Sequence, residues 1–376
     1  MPEPTRSVLL IGAAEEAGEL AVTLRAAAQL DLPPDALDPA EQAGLVRTDG
    51  TSLQFRHPLV RSVVYESEPL GRRRRAHAAL AGALEQERDV DRAVWHRAIA
   101  APSSDAHVAD ALEASAQRSR LRGGHVSAAR ALERAAVLSS DSSSRSRRLV
   151  AAAEAAWIGG QEDLARELVG RSLPIADRAQ QSRLLYLRGV IESNCGSLLD
   201  GAATMKQALA LSEDPSLTLE ILRDGCAMAS QAGAHDDARA VAEQAARVAD
   251  ATEFERFTKT SLAAWAADLS GDYVSGNELS AELGELAEPL EVSICMIWAA
   301  LAATRAGLRQ ASLHHGNRAV ALARDQGDVT RHGHTSPSYT RGWPKAAQSR
   351  SSNTPSTRWR CCIWVTAGPV RRSMSS

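Results

Sequence analysis

The side chains of this chain that could do chemistry are few and scattered. His57 stands in Phe55-Arg56-His57-Pro58-Leu59-Val60-Arg61, at the start of a helical pattern. An imidazole there can cap the helix, which is the first reading, or donate a hydrogen bond to a phosphate, which is the second. Arg72-Arg73-Arg74-Arg75 offers four positive charges for an anion or a nucleic acid. Consecutive residues point around most of a helix, however, so they present no single stripe and read first as solvated or bridging groups. His314-His315 and His332-x-His334 lack cysteine or carboxylate partners at metal-binding spacing, so no metal site is assigned. Trp157, Tyr186, Trp265 and Trp298 fall in apolar helical segments, where core packing is the first reading and a stacking platform for a ligand the second. A phosphate loop GxxxxGK[ST], HExxH, GxSxG and a strand-to-helix GxGxxG are all missing from the sequence. With only three lysines, none after a glycine-rich loop, nothing is placed to hold β and γ phosphates. No catalytic residue and no cofactor are assigned.

The elements that must carry these residues repeat. Gly124, Gly160, Gly196, Gly233, Gly271 and Gly307 are separated by 36, 36, 37, 38 and 36 residues. Five residues past each lie Ala129, Ala165, Gly201, Ala238, Gly276 and Ser312, all small. Twelve past lie Ala136, Ser172, Ala208, Ala245, Leu283 and Ala319, where only Leu283 is large. A period in the middle thirties describes stacked helical hairpins, each with a glycine closing its first helix in a left-handed cap and small residues letting its second helix approach a neighbour. The hairpins are expected at about 108–138, 148–175, 181–212, 217–249, 256–287 and 291–325, with serine-rich 139–146 as a loop. Stacking predicts a superhelical array with a concave binding face.

Before the repeats, helices are expected at 17–30 and 38–43. A hairpin of 45–47 with 52–55 turns at Asp49-Gly50, and a further helix covers 57–65. Helix, helix, hairpin, helix is the order of a small winged-helix module. Composition agrees with an all-α chain: 44% of residues are hydrophobic and only 4% aromatic, with alanine abundant. The net charge of -3 hides an asymmetry, because the eight basic residues after Asp328 face no acid and leave residues 1–328 at -11. An acidic body is a poor general nucleic-acid binder. Cys195, Cys226, Cys295, Cys361 and Cys362 form no CxxC pair and read as small buried hydrophobes in a reducing setting. No signal peptide or membrane-spanning run is read, so the cytoplasm is the expected location. Residues 329–376 have no helical or strand period and are expected to be a disordered basic tail whose text reads like codons out of frame; a natural basic tail is the alternative.

Residues 53–65, Leu-Gln-Phe-Arg-His-Pro-Leu-Val-Arg-Ser-Val-Val-Tyr, are followed by the Arg72-Arg73-Arg74-Arg75-Ala76-His77 helix. Downstream come Ala93-Val94-Trp95-His96-Arg97-Ala98 and then Arg122-Gly123-Gly124 through Leu132-Glu133-Arg134-Ala135-Ala136. In this order the motifs resemble the large LuxR-type ATP-binding transcriptional regulators of actinobacteria, over roughly residues 8–328. The resemblance implies a signal-transduction ATPase plan: a nucleotide-binding core, a winged helix, a tetratricopeptide-like sensor array and a C-terminal DNA-binding helix-turn-helix. It also implies that His57 is the winged-helix residue sensing the nucleotide phosphate. This sequence departs from the plan in lacking the phosphate loop and the helix-turn-helix.

The domain expectation is therefore a winged-helix-like module at 1–68, a helical linker at 69–107, tetratricopeptide-like repeats at 108–328 and the basic tail at 329–376. The functional expectation is a non-catalytic sensor or interaction portion of such a regulator, binding a protein or small-molecule ligand on the concave repeat face. The alternatives are an in-trans partner of a separately encoded ATPase core and a basic-tailed nucleic-acid binder. DNA binding by this chain alone and membrane association are not expected.

Overall fold

Alanine-rich text with glycine punctuation folds into helices almost throughout. The computed structural model describes residues 1–325, which hold eighteen α-helices and one two-stranded hairpin. The expectations for 329–376, for His332 and His334, and for Cys361 and Cys362 lie outside these residues. The described residues divide into two compact units, residues 1–118 with 130–148, and residues 119–129 with 149–325.

In the first unit, α1 (Glu3–Ala14) and α2 (Leu20–Ala28) are followed by α3 (Asp38–Gln42), β1 (Val46–Thr48), β2 (Leu53–Phe55) and α4 (Pro58–Glu66). Then come α5 (Leu70–Gln86) and α6 (Val90–Ala100). The strands pair antiparallel, Val46 opposite Phe55 and Thr48 opposite Leu53, and Gly50 supplies the positive φ of the turn at 87°. α1 was not legible as a helix: Val8, Leu9, Leu10, Ile11, Ala13 and Ala14 are all buried, so its text is a continuous apolar run without a 3.6-residue period. Gly12 on this helix stands where any Cβ would collide with Leu53 of the hairpin. α5 belongs to the same core as α1, contributing Ala76, Ala79, Leu80, Ala83 and Leu84.

The resemblance motifs turn out to be joints of this core. Arg61 donates from Nε to the Ala13 carbonyl at 2.9 Å and from Nη2 to that of Glu15 at 3.1 Å, satisfying the C-terminal end of α1. The Tyr65 hydroxyl meets His77 Nε2 at 2.8 Å, and His77 Nδ1 meets His96 Nδ1 at 2.7 Å. One consistent arrangement has Tyr65 donating to His77, His77 donating to His96, and both rings neutral. Both histidines are buried, at 3% and 4% exposure. Burial, reinforced by Arg73 at His77 and by His77 and Arg92 at His96, holds both pKa values well below the usual 6.5. The unfolded chain therefore binds protons that the folded unit refuses, and stability is lost as pH falls below about 6.5, by up to about 1.4 kcal/mol per pH unit for each histidine. Urea midpoints measured from pH 7 to pH 5 are expected to fall, and a His77→Gln/His96→Leu variant is expected to fall less steeply. Equal slopes would show that the pair is not kept neutral.

The repeats follow as six helical hairpins: α7 (Ala106–Leu121) with α8 (His125–Leu138), α9 (Ser142–Ile158) with α10 (Glu162–Ser172), and α11 (Arg178–Cys195) with α12 (Leu198–Leu211). α13 (Pro215–Gln231) pairs with α14 (His235–Ala245), α15 (Glu253–Leu269) with α16 (Tyr273–Ala287), and α17 (Ser293–Arg305) with α18 (Arg309–Asp325). The columns read from the sequence are buried: Ala129, Ala165, Gly201, Ala238 and Gly276 in one, and Ala136, Ser172, Ala208, Ala245, Leu283 and Ala319 in the other. Ser312 is half-buried, its Oγ 2.7 Å from Thr304 Oγ1.

Two expectations about the connections need correction. Gly160, Gly233, Gly271 and Gly307 do take positive φ, between 72° and 80°, and each is followed by an N–H bonded back five residues, as from Ala234 to the Ala229 carbonyl at 2.9 Å. In the first hairpin, however, Gly123 is the left-handed residue (φ 74°) and Gly124 donates the return bond to Ser119. In the third, Gly196 has φ -150°, because α11 runs on to Cys195 and only two residues separate it from α12 instead of three. The serine-rich 139–146 segment is also mostly helix rather than loop. Asp141 Oδ1 accepts from Ser144 N at 2.7 Å and starts α9 at Ser142. Buried Arg148 then fixes that first turn by bonding Glu113 Oε2 at 2.9 Å and Ser139 Oγ at 2.7 Å.

Candidate ligand groove of the helical repeats

The second helices of the hairpins bury their small columns, and the aromatic residues of the groove come from the first helices. In the second unit those helices, α9, α11, α13, α15 and α17, line one cavity of about 510 Å³, with Arg120 from the end of α7 at its rim. Trp157, Tyr186, Trp265 and Trp298 all border it. The sequence left these four between core packing and ligand stacking, and the structure gives them both surroundings. Trp298 is 7% exposed and belongs to a core cluster with Phe257, Leu283 and Met296, while Trp157, Tyr186 and Trp265 are half-buried along the wall. The Trp265 and Trp298 rings lie 5.4 Å apart at 51°.

Charges between the rings are paired, within α13 and across helices. Arg223, 2% exposed, donates from Nε to Asp224 Oδ1 at 3.0 Å, and the Tyr186 hydroxyl donates to Asp224 Oδ2 at 2.8 Å. Burial raises the Tyr186 pKa well above its ordinary value, with Asp224 and Glu220 adding to it, so the phenol stays protonated as a donor. Burial works against the Arg223 charge, but the Asp224 and Glu220 carboxylates outweigh it and raise that pKa. Arg305 stacks over Trp265 at 4.7 Å and bonds Asp268 at 2.9 Å, and Arg183 pairs with Glu154. These groups were missed in the sequence. The signal was there at Arg223-Asp224, an ion pair set among Leu219, Ile221, Leu222 and Cys226 on a helix otherwise apolar at its buried positions.

The residues singled out earlier fall elsewhere. His57 is exposed and caps α4, its Nδ1 accepting from Leu59 N at 3.1 Å. The neutral ring then carries its proton on Nε2. Arg72 bonds Ser7 at 2.9 Å and pairs with Glu68 at 3.2 Å, Arg73 lies over the Tyr65 ring at 5.3 Å, and Arg75 is exposed, so these three arginines do face different ways. His314 and His315 do have a carboxylate neighbour, Glu288, which lies 2.9 Å from His314 Nε2 and 3.4 Å from His315 Nδ1. Its position 26 residues upstream hid it from any spacing rule. Cys226 and Cys295 are buried, and burial pushes the Cys226 thiol up to about 12; Cys195 is exposed, against expectation. Among the described residues no helix is long and apolar enough to cross a membrane.

The fold and groove define an all-α helical-repeat protein with a ligand-sized cleft on its repeats. No protein-family model matches the chain, and no curated protein does. Among solved structures, the chain is similar to a signal transduction ATPase with numerous domains that carries a tetratricopeptide repeat sensor, from Pyrococcus horikoshii. The identity is 13% and the TM-score 0.44, over 89% of this chain and 62% of that one, so the chain spans less than two thirds of that protein's length.

Proposed function

We propose that this chain is the non-catalytic sensor portion of a LuxR-type signal-transduction regulator, binding a small molecule in the groove of its repeats. The observation that carries this is the groove itself. A cavity of about 510 Å³ walled by four aromatic rings and interleaved ion pairs has the size and mixed lining of a small-molecule site. A helical-repeat scaffold suits sensing because each hairpin touches mainly its neighbours, so a ligand spanning α9 to α17 ties several of them together. In a thermal-shift screen of small metabolites, compounds that stabilise the chain are expected to lose their effect on Val190→Trp, which fills the groove from α11. Stabilisers acting equally on the variant would place binding elsewhere.

The same reading holds that the chain does not process nucleotides. The purified protein is expected to hydrolyse no ATP, and calorimetry is expected to show no ATP binding tighter than millimolar, because the sequence has no phosphate cradle. Micromolar affinity would overturn the non-catalytic assignment.

A second reading, of an in-trans partner for a separate ATPase core, draws support from α4. This helix follows the hairpin in winged-helix order, has no buried residue, and exposes Leu59 at 67% and Val63 at 64% beside His57. An amphipathic helix with its apolar residues outward suits a protein partner.

A further inference from the structure

Three buried polar atoms in the groove wall are left over after the internal hydrogen bonds are made, Ser230 Oγ and two nitrogens, of Arg223 and Trp298. Arg223 spends Nε on Asp224, and its Nη1 has no hydrogen-bond partner among the described residues; Trp298 Nε1 has none either. Both side chains are more than nine-tenths buried and both line the groove. The Arg223 guanidinium carbon lies 5.3 Å from the Trp298 ring centroid, so the two side chains adjoin in the wall. Nearby acceptors are committed, since both oxygens of Asp224 are already used by Arg223 and Tyr186. A buried donor left unmet costs about 1–3 kcal/mol, so this spot calls for an acceptor atom from outside the chain.

Charge decides what kind of acceptor. Arg120, Arg183, Arg223 and Arg305 line the groove against Glu154, Glu220 and Asp224, and Asp268 behind the wall answers Arg305. The set is balanced. An anion would bring an uncompensated charge into an aromatic-walled cavity, whereas a neutral carbonyl satisfies the same donors without that desolvation penalty.

We infer that the groove takes an uncharged, planar aromatic small molecule bearing a carbonyl-type acceptor, such as an aromatic amide, lactone or ketone. Its oxygen accepts from Arg223 Nη1 and Trp298 Nε1, and its ring lies along the walls supplied by Trp157, Tyr186 and Trp265. This rests on the reading of the groove as the sensor's ligand site.

The test compares naphthalene-1-acetamide with naphthalene-1-acetate on the full chain, using calorimetry and tryptophan quenching. The amide is expected to bind about tenfold more tightly than the acid. Trp298→Phe keeps the ring and removes the donor, and is expected to weaken the amide severalfold while leaving the acid unchanged. Arg223→Lys, whose folding is checked by its melting curve, is expected to act the same way. Trp157→Ala is expected to weaken both probes. Equal or tighter binding of the acid, no binding of either probe, or an amide affinity indifferent to Trp298→Phe and Arg223→Lys would overturn the ligand class while leaving the groove as a site. Probe binding indifferent to Trp157→Ala as well would place the probes outside the groove and remove both readings together.

Discussion

Ala208→Trp is expected to lower the melting temperature of the repeat unit by about 6–12 °C, corresponding to about 3 kcal/mol of overpacking in a unit of this size. Ala208 is fully buried on α12, which packs against α11. The tightness is set by backbone, which cannot swing away. A Cβ on Gly201 would stand 2.9 Å from the Gly189 carbonyl oxygen, and the Ser182 hydroxyl donates directly to the Ala208 carbonyl at 2.8 Å. An indole at this position has to push the two helices apart along their length, undoing the Gly189–Gly201 contact as well. Differential scanning calorimetry with Ala208→Ser as a control separates overpacking from a general intolerance of substitution. An unchanged melt in the tryptophan variant would mean that the twelve-residue column does not mark the helix contact.

That column shows why so much of the repeat architecture was legible. A small residue at a helix crossing is forced by contact distance, so it recurs with the period of the hairpin and can be counted in the sequence. The same is true of Gly160, Gly233, Gly271 and Gly307, whose left-handed φ excludes most other residues. Where the geometry leaves a choice, counting failed: the cap moved one residue to Gly123, and disappeared at Gly196 when the connection lost a residue. α1 was hidden for the opposite reason, since a helix buried on nearly every side has no polar face to give it a period. The groove was half legible. Trp157, Tyr186, Trp265 and Trp298 could be placed on first helices, but whether a ring faces a core or a cleft depends on neighbours on other helices, as Tyr186 does on Asp224, 38 residues away. Glu288 beside His314 and His315 is the same case. Partnerships that cross between elements leave no local spacing to read.

Arg92→Leu is expected to destabilise the first unit by about 3–5 kcal/mol, lowering its melting temperature by about 10 °C or more. Glu15, which follows directly on α1, is 1% exposed; its carboxylate accepts from the backbone N–H of Ala17 at 3.2 Å and of Glu19 at 2.7 Å. Arg92 from α6 is its ionic partner, and also bonds Glu19 at 2.7 Å. Removing the guanidinium leaves a buried carboxylate with two neutral donors and no counter-charge, a loss far larger than that of an exposed ion pair. Glu15→Gln keeps the shape and one acceptor oxygen for the backbone donors while removing the charge, so adding it to Arg92→Leu is expected to restore part of the lost stability, although Glu15→Gln alone destabilises. Chemical denaturation of the two single variants and the double variant measures the coupling directly. If the double variant were as unstable as the sum of the singles, the Glu15 charge would not be what Arg92 compensates, and the joint between α1 and α6 would be held by packing alone.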